Sequence, residues 1–392
     1  MILKKLYQLC FEIQERTWGG IVVLVTQNDG NMDFYKILKL KWTVVCLFTL
    51  LTLTLMACHE VPSEKNNFQE NENKNKIESE NQEIVVTSED LLLPEMGALV
   101  QETAKSLVKN QIEVFTVAGL VDAVQNAPEN GEIFLQPGNY QLEKPIILNR
   151  NVTIRSISSE KVTVECATDL CVFMIRGGAP KLKNLTIISR GKSEYDNAVF
   201  VENGTLEMNG CTLISDYGYG IHVCTKNARA KVDSCVVKSC GCCGIRAASN
   251  ASGEFTDCEI SNNPTGVLVA DFAELKFKNC NIHDNPRLGI AIGMNGHGRF
   301  QNCVISRTEG VNVFVINEGE ATLLQCHISD GQKGGVVVDK GGKGTFHDNT
   351  LENNVFEEHE RNWSIHPTAG HVTGSNNNPP LKRWFVPASE NE

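Results

Sequence analysis

The sequence FTDCEISNNPTGVLV at residues 255–269 decides the fold, because close variants of it recur along the chain. FKNCNIHDNPRLGIAI at 277–292 and LLQCHISDGQKGGVVV at 323–338 keep the same order: a large apolar residue, a Cys, an aliphatic residue, polar turn residues, a Gly and an apolar run. The cysteines of this phrase are spaced 22 to 24 residues apart, and an asparagine takes the next place: Cys211, Cys235, Cys258, Cys280, Cys303, Cys326 and Asn349. A fixed period of about 20 to 50 residues indicates units that stack only on their neighbours.

Each repeat predicts three short β-strands. In the repeat quoted first they run from Cys258 to Ile260, from Gly266 to Val269 and from Leu275 to Phe277. Because side chains alternate across a strand, the Cys and the Ile point inward and the residue between them points outward. If every turn of chain repeats the last, equivalent residues stack about 4.8 Å apart in a parallel β-helix. The repeats leave room for about ten or eleven coils of this kind.

The cysteine ladder is interpreted as a column of buried thiols, because a free Cys behaves as a small hydrophobe. Stacked side chains in parallel register rarely reach the torsion angle of about 90° that a disulfide needs. No second set of ligands recurs beside the ladder, which disfavours a column of metal ions. In one denser group a disulfide, a metal site and unpaired thiols all remain open: Cys224, Cys235, Cys240, Cys242 and Cys243.

The N-terminal segment has the composition of a secretory signal. Lysines precede an apolar stretch at 42–57, and the sequence LMAC at 55–58 ends it. This ending resembles the bacterial lipobox, in which the Cys becomes the lipidated first residue of the mature protein. The resemblance makes Cys58 the predicted lipidation site and the membrane a partner through the lipid anchor. His59 follows, which by resemblance to the sorting rule of enteric bacteria favours the outer membrane of the cell envelope, with the domain periplasmic or surface-exposed.

Composition divides the chain into six segments. Met32 lies just before the basic residues of the signal, so the residues ahead of it are interpreted as a start-site artefact. The stretch after Cys58 is acidic and poor in apolar residues, which predicts a disordered tether. A short helix from Val117 to about Ala127, capped by Thr116, would cover the open end of the β-helix. The predicted segments are 1–31, the signal peptide 32–57, the lipidated tether 58–90, a helical lead-in 91–111, the β-helix 112–376 and a C-terminal tail 377–392.

The sequence IFLQPGNYQLEKPIILNRNVTIRS at 133–156, followed by the repeats, resembles the first module of right-handed parallel β-helix proteins of the pectate-lyase-like superfamily. The resemblance covers about residues 112–376 and implies an all-β, right-handed parallel β-helix. It also implies two classes of activity, because that superfamily includes carbohydrate-binding domains and sugar hydrolases. The repeats further resemble the β-helix of certain eukaryotic F-box proteins, which bind protein partners.

Enzymes on this fold need residues from several coils on one outer face. The outward residues of the second strands, read by register, hold no cluster of acids with a basic partner: His222, Arg246, Leu268, Ala291, Asn312 and Val337. The third strands show charges of mostly alternating sign, which is typical of surface stabilisation: Glu207, Lys231, Glu254, Lys276 and Arg299. The best catalytic candidates should lie near one edge across neighbouring coils: Asp233, Asp257, Glu259, His283 and Asp284.

Charge and composition narrow the function further. The net charge of -11 and the lack of a basic stripe argue against a nucleic-acid partner. The acids and histidines at 357–371 match neither HExxH nor a structural zinc pattern, so we predict no metal and no cofactor. The leading hypothesis is a bacterial envelope lipoprotein that presents a β-helix as a binding scaffold for a protein or a glycan. A polysaccharide lyase, hydrolase or epimerase is the alternative, and a structural spacer is the second alternative.

Overall fold

The structure is a computed structural model that describes residues 110–167, 170–357 and 359–381. The predictions for the signal peptide, for Cys58 and for the tether fall outside these residues, as do most of the helical lead-in and the end of the C-terminal tail. Within the described ranges no helix is long and apolar enough to cross a membrane. The repeats lie within these described residues.

Most of the strands belong to three long parallel sheets, and each coil contributes one strand to each sheet. Sheet 1 contains β1 (Gln111–Val114), β2 (Gly131–Leu135), β5 (Val152–Ser156), β8 (Lys181–Lys183), β11 (Gly204–Asn209), β14 (Ala228–Asp233), β17 (Ser252–Thr256), β20 (Glu274–Lys278), β23 (His297–Gln301), β26 (Glu320–Leu324), β29 (Lys343–His347) and β34 (Val372–Ser375). Sheet 2 contains β3 (Gly138–Leu142), β6 (Val162–Cys166), β9 (Thr186–Ser189), β12 (Thr212–Ser215), β15 (Val236–Lys238), β18 (Glu259–Ser261), β21 (Asn281–His283), β24 (Val304–Ser306), β27 (His327–Ser329) and β30 (Thr350–Glu352). Sheet 3 contains β4 (Ile146–Leu148), β7 (Cys171–Ile175), β10 (Asn197–Val201), β13 (Ile221–Cys224), β16 (Cys243–Ala248), β19 (Thr265–Val269), β22 (Leu288–Ile292), β25 (Val311–Val315), β28 (Val336–Val338) and β33 (Trp363–Ile365).

One strand from each sheet, in the order 1, 2, 3, makes one coil. Across the described residues, ten coils are complete and β34 begins an eleventh. A two-stranded antiparallel sheet, β31 (Val355–Phe356) with β32 (His359–Glu360), interrupts the tenth coil before β33. The predicted all-β parallel β-helix with three short strands per coil is therefore confirmed.

The strands stack in register, which places like residues above one another. Phe255 pairs with Phe277 and Phe277 with Phe300 in sheet 1, and their rings stack with centroids 4.7 Å and 4.8 Å apart. The ladder cysteines are buried, and so are the aliphatic residues two places after them. The strands of sheet 2 begin one residue after each ladder Cys, so Cys258 itself lies in the turn before β18.

The turn between sheets 1 and 2 explains the polar residue that precedes all ladder positions except Cys211, which follows Gly210. This turn has two residues in most coils, and its first residue adopts a positive φ, as at Ser234 (52°), Asp257 (51°) and Asn279 (54°). Asn and Asp tolerate this left-handed conformation better than other non-glycine residues. The sharp bend then turns the following Cys into the interior.

The N-terminal end of the stack is covered by one helix, α1 (Val117–Asn126). The side chain of Thr116 accepts a hydrogen bond from the backbone N–H of Gly119, as an N-cap does. Leu120 and Ala123 of α1 are buried in the core. The predicted short N-terminal capping helix is confirmed.

One outward residue of the sequence prediction is wrong. Asn312 is fully buried, and the register places Phe314 in the outward row, next to Ala291. In the preceding coils the residue equivalent to Asn312 is a glycine. At Gly289 there is no room for a side chain, because a Cβ there would lie 2.5 Å from the carbonyl oxygen of Asn312. The Asn312 side chain turns inward, where Gly331 leaves room: a Cβ on Gly331 would lie 2.7 Å from Nδ2 of Asn312.

Candidate binding surface

The five predicted catalytic candidates separate into two places. Asp233 ends β14 in sheet 1, and its carboxylate accepts a hydrogen bond of 2.5 Å from Nδ2 of Asn209. Asp257 lies in the following turn and accepts a hydrogen bond of 3.0 Å from Nδ2 of Asn279. Both acids are therefore engaged by an asparagine of a neighbouring coil. Within the described residues, neither acid forms a hydrogen bond or an ion pair with Glu259, His283 or Asp284.

The other three candidates come together around β18 and β21 of sheet 2. Nδ1 of His283 lies 2.6 Å from the Asp284 carboxylate, and Nε2 lies 3.6 Å from the Glu259 carboxylate. The structure adds a residue that the sequence prediction missed, since Arg307 of the next coil binds Asp284 through two nitrogens at 2.8 Å and 2.9 Å. The hydrogen bond from Arg307 is the main reason that the pKa of Asp284 falls to about 2. A carboxylate held this strongly is a poor proton acceptor near neutral pH.

Replacing Arg307 with Met should raise the pKa of Asp284 from about 2 towards its ordinary value of about 3.9. Because the folded-state pKa lies below the unfolded one, the Arg307 contact stabilises the fold above about pH 4, and this contribution disappears as the pH falls towards 2. Carbon-13 NMR titration of labelled Asp carboxylates measures the shift. An Arg299→Met control, exposed on sheet 1, should leave Asp284 unchanged. A titration of Asp284 that is the same in both variants would contradict the assigned contact.

The outer face of sheet 1 carries the charged row that the sequence predicted. The register aligns Glu207, Lys231, Glu254 and Lys276 on successive strands, and Lys276 lies 3.7 Å from the Glu254 carboxylate. A shallow groove follows this face, lined by Lys183, Glu207, Met208, Asn209, Lys231, Val232, Asp233, Glu254 and Thr256. Exposed pairs of this kind contribute little stability, about 0 to 1 kcal/mol each.

The turns between sheets 2 and 3 carry two exposed tyrosines that the sequence analysis did not single out. Tyr195 lies in the turn 190–196 and is 58% exposed, and Tyr217 lies in the turn 216–220 of the next coil and is 55% exposed. We call these two turns, with their side chains, the tyrosine surface. Ion pairs extend along it, because Arg190 lies 3.1 Å from the Asp216 carboxylate and 3.5 Å from the Glu165 carboxylate.

Buried polar groups fix the turns of the tyrosine surface. The Asp196 carboxylate, 1% exposed, accepts backbone N–H bonds from Leu170 at 2.8 Å and from Ser193 at 2.6 Å. The hydroxyl of Ser215 donates to the backbone carbonyl of Asp196 at 2.5 Å and accepts from the backbone N–H of Gly218 at 3.0 Å. The tyrosine rings therefore project from turns whose backbone is tightly hydrogen-bonded.

Next to the tyrosine surface, the outer side of sheet 3 is aromatic. The ring of His222 lies 5.0 Å from that of Tyr219 and 5.1 Å from that of Phe200. Arg246 donates a hydrogen bond of 3.0 Å to the Tyr219 hydroxyl. Burial, and secondarily the charge of Arg246, lower the pKa of His222 to about 4, so His222 is neutral near pH 7.

The dense group of cysteines predicted around coil five carries free thiols in the structure. Cys235 belongs to the interior ladder. Cys242 is the last residue of the turn before β16 and Cys243 is the first residue of β16, and their sulfur atoms lie 3.9 Å apart. Among the described residues no group of three His, Cys, Asp or Glu side chains could hold a metal ion.

A family model and one relative match parts of the chain. Residues 223–382 match the family described as "Right handed beta helix region". The chain is 23% identical over 202 residues to Protein nessun dorma of Drosophila melanogaster, a match that covers 48% of this chain and 33% of that protein. The chain thus spans about a third of the length of this relative.

Among the solved structures, the likeness to one alginate lyase supports the fold. An alginate lyase from Paenibacillus sp. str. FPU-7 has a TM-score of 0.50 and 12% identity, covering 67% of this chain and 98% of the other. A pectate lyase, Pel9A, has a TM-score of 0.40 and 10% identity, covering 65% of this chain and 72% of the other. At 12% identity the likeness to the alginate lyase is one of fold alone, and activity has to be argued from the site.

Proposed function

We propose that this protein is a binding scaffold that holds a glycan on its tyrosine surface without cleaving it. The observation that carries the proposal is the pair of exposed rings, Tyr195 and Tyr217, on neighbouring coils. Tyrosine offers a large apolar face with a polar tip and few rotatable bonds, which suits contact with the apolar faces of sugar rings. Neighbouring coils lie about 4.8 Å apart, which is close to the length of one pyranose unit.

The rest of the tyrosine surface fits such a ligand. Arg190, Asp216 and Glu165 present charged hydrogen-bonding groups beside the rings, and sugar hydroxyls can donate to carboxylates and accept from a guanidinium. The hydrogen bonds of Asp196 and Ser215 hold the turns before a ligand arrives. A preformed surface binds more tightly, because less conformational entropy is lost on binding.

The enzymatic alternative has weaker support. A lyase or hydrolase needs a group able to accept or donate a proton near neutral pH. Among the residues brought together on sheet 2, the pKa of Asp284 is held low by Arg307, which leaves His283 and Glu259 as the remaining pair at 3.6 Å. Release of reducing or unsaturated sugar ends by the full-length protein would favour this alternative over simple binding.

Replacing Tyr195 and Tyr217 singly with Ala should each weaken glycan binding roughly fivefold, because losing one aromatic contact costs about 1 kcal/mol. A panel of uronate and neutral oligosaccharides is first screened for those that bind the unaltered full-length protein. Titration calorimetry with these oligosaccharides then measures the affinity of each variant. Phe272→Ala is the matched control, since Phe272 is 59% exposed in a turn between sheets 3 and 1. Unchanged affinity in both tyrosine variants, or no oligosaccharide bound at all, would refute the proposal.

We further propose that the scaffold is a bacterial envelope lipoprotein attached through Cys58, on the strength of the LMAC sequence alone. The acidic stretch after Cys58 would then act as a spacer between the membrane and the domain. Expression in a bacterium with an alkyne-labelled fatty acid should label the protein, and Cys58→Ala should remove the label. Equal labelling of both proteins would rule out this attachment.

A further inference from the structure

Two neighbouring cysteines differ from the cysteines of the ladder. Ladder thiols are buried and lie against backbone carbonyls, as Cys258 does at 3.2 Å from the carbonyl oxygen of Thr256. Cys242 is only partly buried, and its sulfur lies 3.9 Å from that of Cys243. The ladder thiols thus have the surroundings of inert cysteines, whereas Cys242 is open to a reagent from solvent.

Cys242 has polar neighbours that stabilise a thiolate. The backbone N–H of Cys242 donates to the carbonyl oxygen of Gly218 at 3.1 Å, which places Cys242 beside Tyr219, and the sulfur of Cys243 lies 3.9 Å from that of Cys242. The Cys243 thiol, the Tyr219 hydroxyl and the positive charge of Arg246 all lower the pKa of Cys242. Arg246 in turn donates to the Tyr219 hydroxyl at 3.0 Å, and its guanidinium carbon lies 5.2 Å from the centre of the Tyr219 ring. A thiolate next to a fixed cation and two hydrogen-bond donors is the usual surrounding of a reactive cysteine.

Two buried nitrogen atoms on this face have no hydrogen-bond partner among the described residues: Nε of Arg246 and Nε2 of His222. His222 is only 9% exposed. Leaving a buried polar atom unpaired costs about 1–3 kcal/mol, and native structures rarely keep one without a reason. Both atoms belong to side chains that contact Tyr219, so they are part of the polar group of residues next to Cys242.

Several titratable or charged groups lie near this thiol: Glu194, Tyr219, Cys240, Cys243 and Arg246. The hydrogen bond from Cys243 is the largest cause that lowers the pKa of Cys242 to about 6, while burial and Glu194 oppose it. Because Cys243 keeps the shared proton, the pKa of its own thiol is raised. Burial raises the pKa of Tyr219 to about 12, so the phenol stays protonated and continues to donate.

We propose that Cys242 is a reactive thiol that exchanges with low-molecular-weight disulfides and forms a mixed disulfide on the outer side of sheet 3. The Cys242 thiolate attacks one sulfur of the small disulfide. A bond forms between Cys242 and that sulfur, the S–S bond of the small molecule breaks, and its other half leaves as a thiolate that takes a proton from water. No further oxidant is needed, since the small disulfide is reduced as Cys242 is oxidised.

The test uses the reduced full-length protein with oxidised glutathione and, separately, with limiting iodoacetamide from pH 5 to 9. Peptide mass spectrometry follows every cysteine in the same sample. Cys242 should be alkylated with a midpoint near pH 6, against about 8.5 for an ordinary thiol. At pH 6 it should gain the glutathionyl group about ten times faster than Cys224, the matched control that is also partly buried, because its larger thiolate fraction outweighs its lower intrinsic nucleophilicity.

Two variants test which neighbours lower the pKa of Cys242, and two more test which cysteine reacts. Tyr219→Phe removes only the hydroxyl group and should raise the alkylation midpoint of Cys242, and Arg246→Met should raise it further. Cys242→Ser should abolish the fast glutathionylation, whereas Cys224→Ser should keep it. A midpoint for Cys242 near 8.5 in the unaltered protein, or a fast reaction that persists in Cys242→Ser, would overturn the proposal.

Discussion

Replacing Phe277 with Ala is expected to destabilise the protein by about 3–5 kcal/mol, the usual cost of truncating a buried aromatic residue. Phe277 is 2% exposed and lies between Phe255 and Phe300, so its removal opens a gap in the middle of an aromatic stack. Neighbouring coils cannot close this gap, because their strands are held in place by backbone hydrogen bonds along the stack. Urea unfolding followed by circular dichroism measures the loss.

The same substitution at an exposed ring provides the control. Phe272 lies five residues earlier and is 59% exposed, so Phe272→Ala should change the free energy of unfolding by no more than about 0.5 kcal/mol. Comparable losses in both variants would mean that the aromatic stack contributes no special stability.

The second large effect is expected at Asn354, which is fully buried in a ladder of amides next to sheet 2. Its Oδ1 accepts from the backbone N–H of Gly331 at 3.0 Å and from Nδ2 of Asn312 at 2.8 Å. Its Nδ2 donates to the carbonyl oxygen of Ile328 at 2.9 Å and to Oδ1 of Asn362 at 2.8 Å. Asn354→Leu removes these four hydrogen bonds and takes from the Gly331 N–H its acceptor, although Nδ2 of Asn312 keeps its bond to the carbonyl oxygen of Ser329 at 2.8 Å. Each buried group left without a partner costs about 1–3 kcal/mol.

We therefore expect Asn354→Leu to lower the free energy of unfolding by about 3 kcal/mol or more. Asn281→Leu makes the same chemical change at an exposed position of β21 and should be nearly neutral. Hydrogen exchange adds a local measurement, since the amide of Gly331 should exchange faster in Asn354→Leu only. A neutral Asn354→Leu variant with a protected Gly331 amide would show that the ladder can reorganise.

The fold was predictable because its signal is repeated. Each ladder Cys and each inward Ile repeats the same alternation, so an error in one coil is corrected by the next. Asn312 shows where this reasoning fails. A glycine fills the equivalent place in the coils before it, and the inward turn of the Asn312 side chain depends on the missing side chain of Gly331, nineteen residues later along the chain.

The candidate site was less predictable, because it lies where the coils differ. Asp233 and Glu259 occupy nearby positions relative to the ladder Cys of their own coils. Asp233 nevertheless faces outward from sheet 1, whereas Glu259 faces outward from sheet 2. Arg307 was missed because it takes the place that Asp284 takes one coil earlier, and only stacking brings the two together. Tyr195 and Tyr217 lie in turns of unequal length, where the repeat gives no alignment.

The in-register stacking of the strands restricts how such a protein can change in length during evolution. Inserting one residue within a strand would reverse the faces of every side chain beyond it, so strands can be gained or lost only as whole coils. The turns between sheets 2 and 3 are free of this constraint, and in the first nine coils they range from the three residues 262–264 to the seven residues 190–196. Insertions tolerated there alter the tyrosine surface and the neighbourhood of Cys242 while the interior stays the same, so ligand preference can diverge on an unchanged rod.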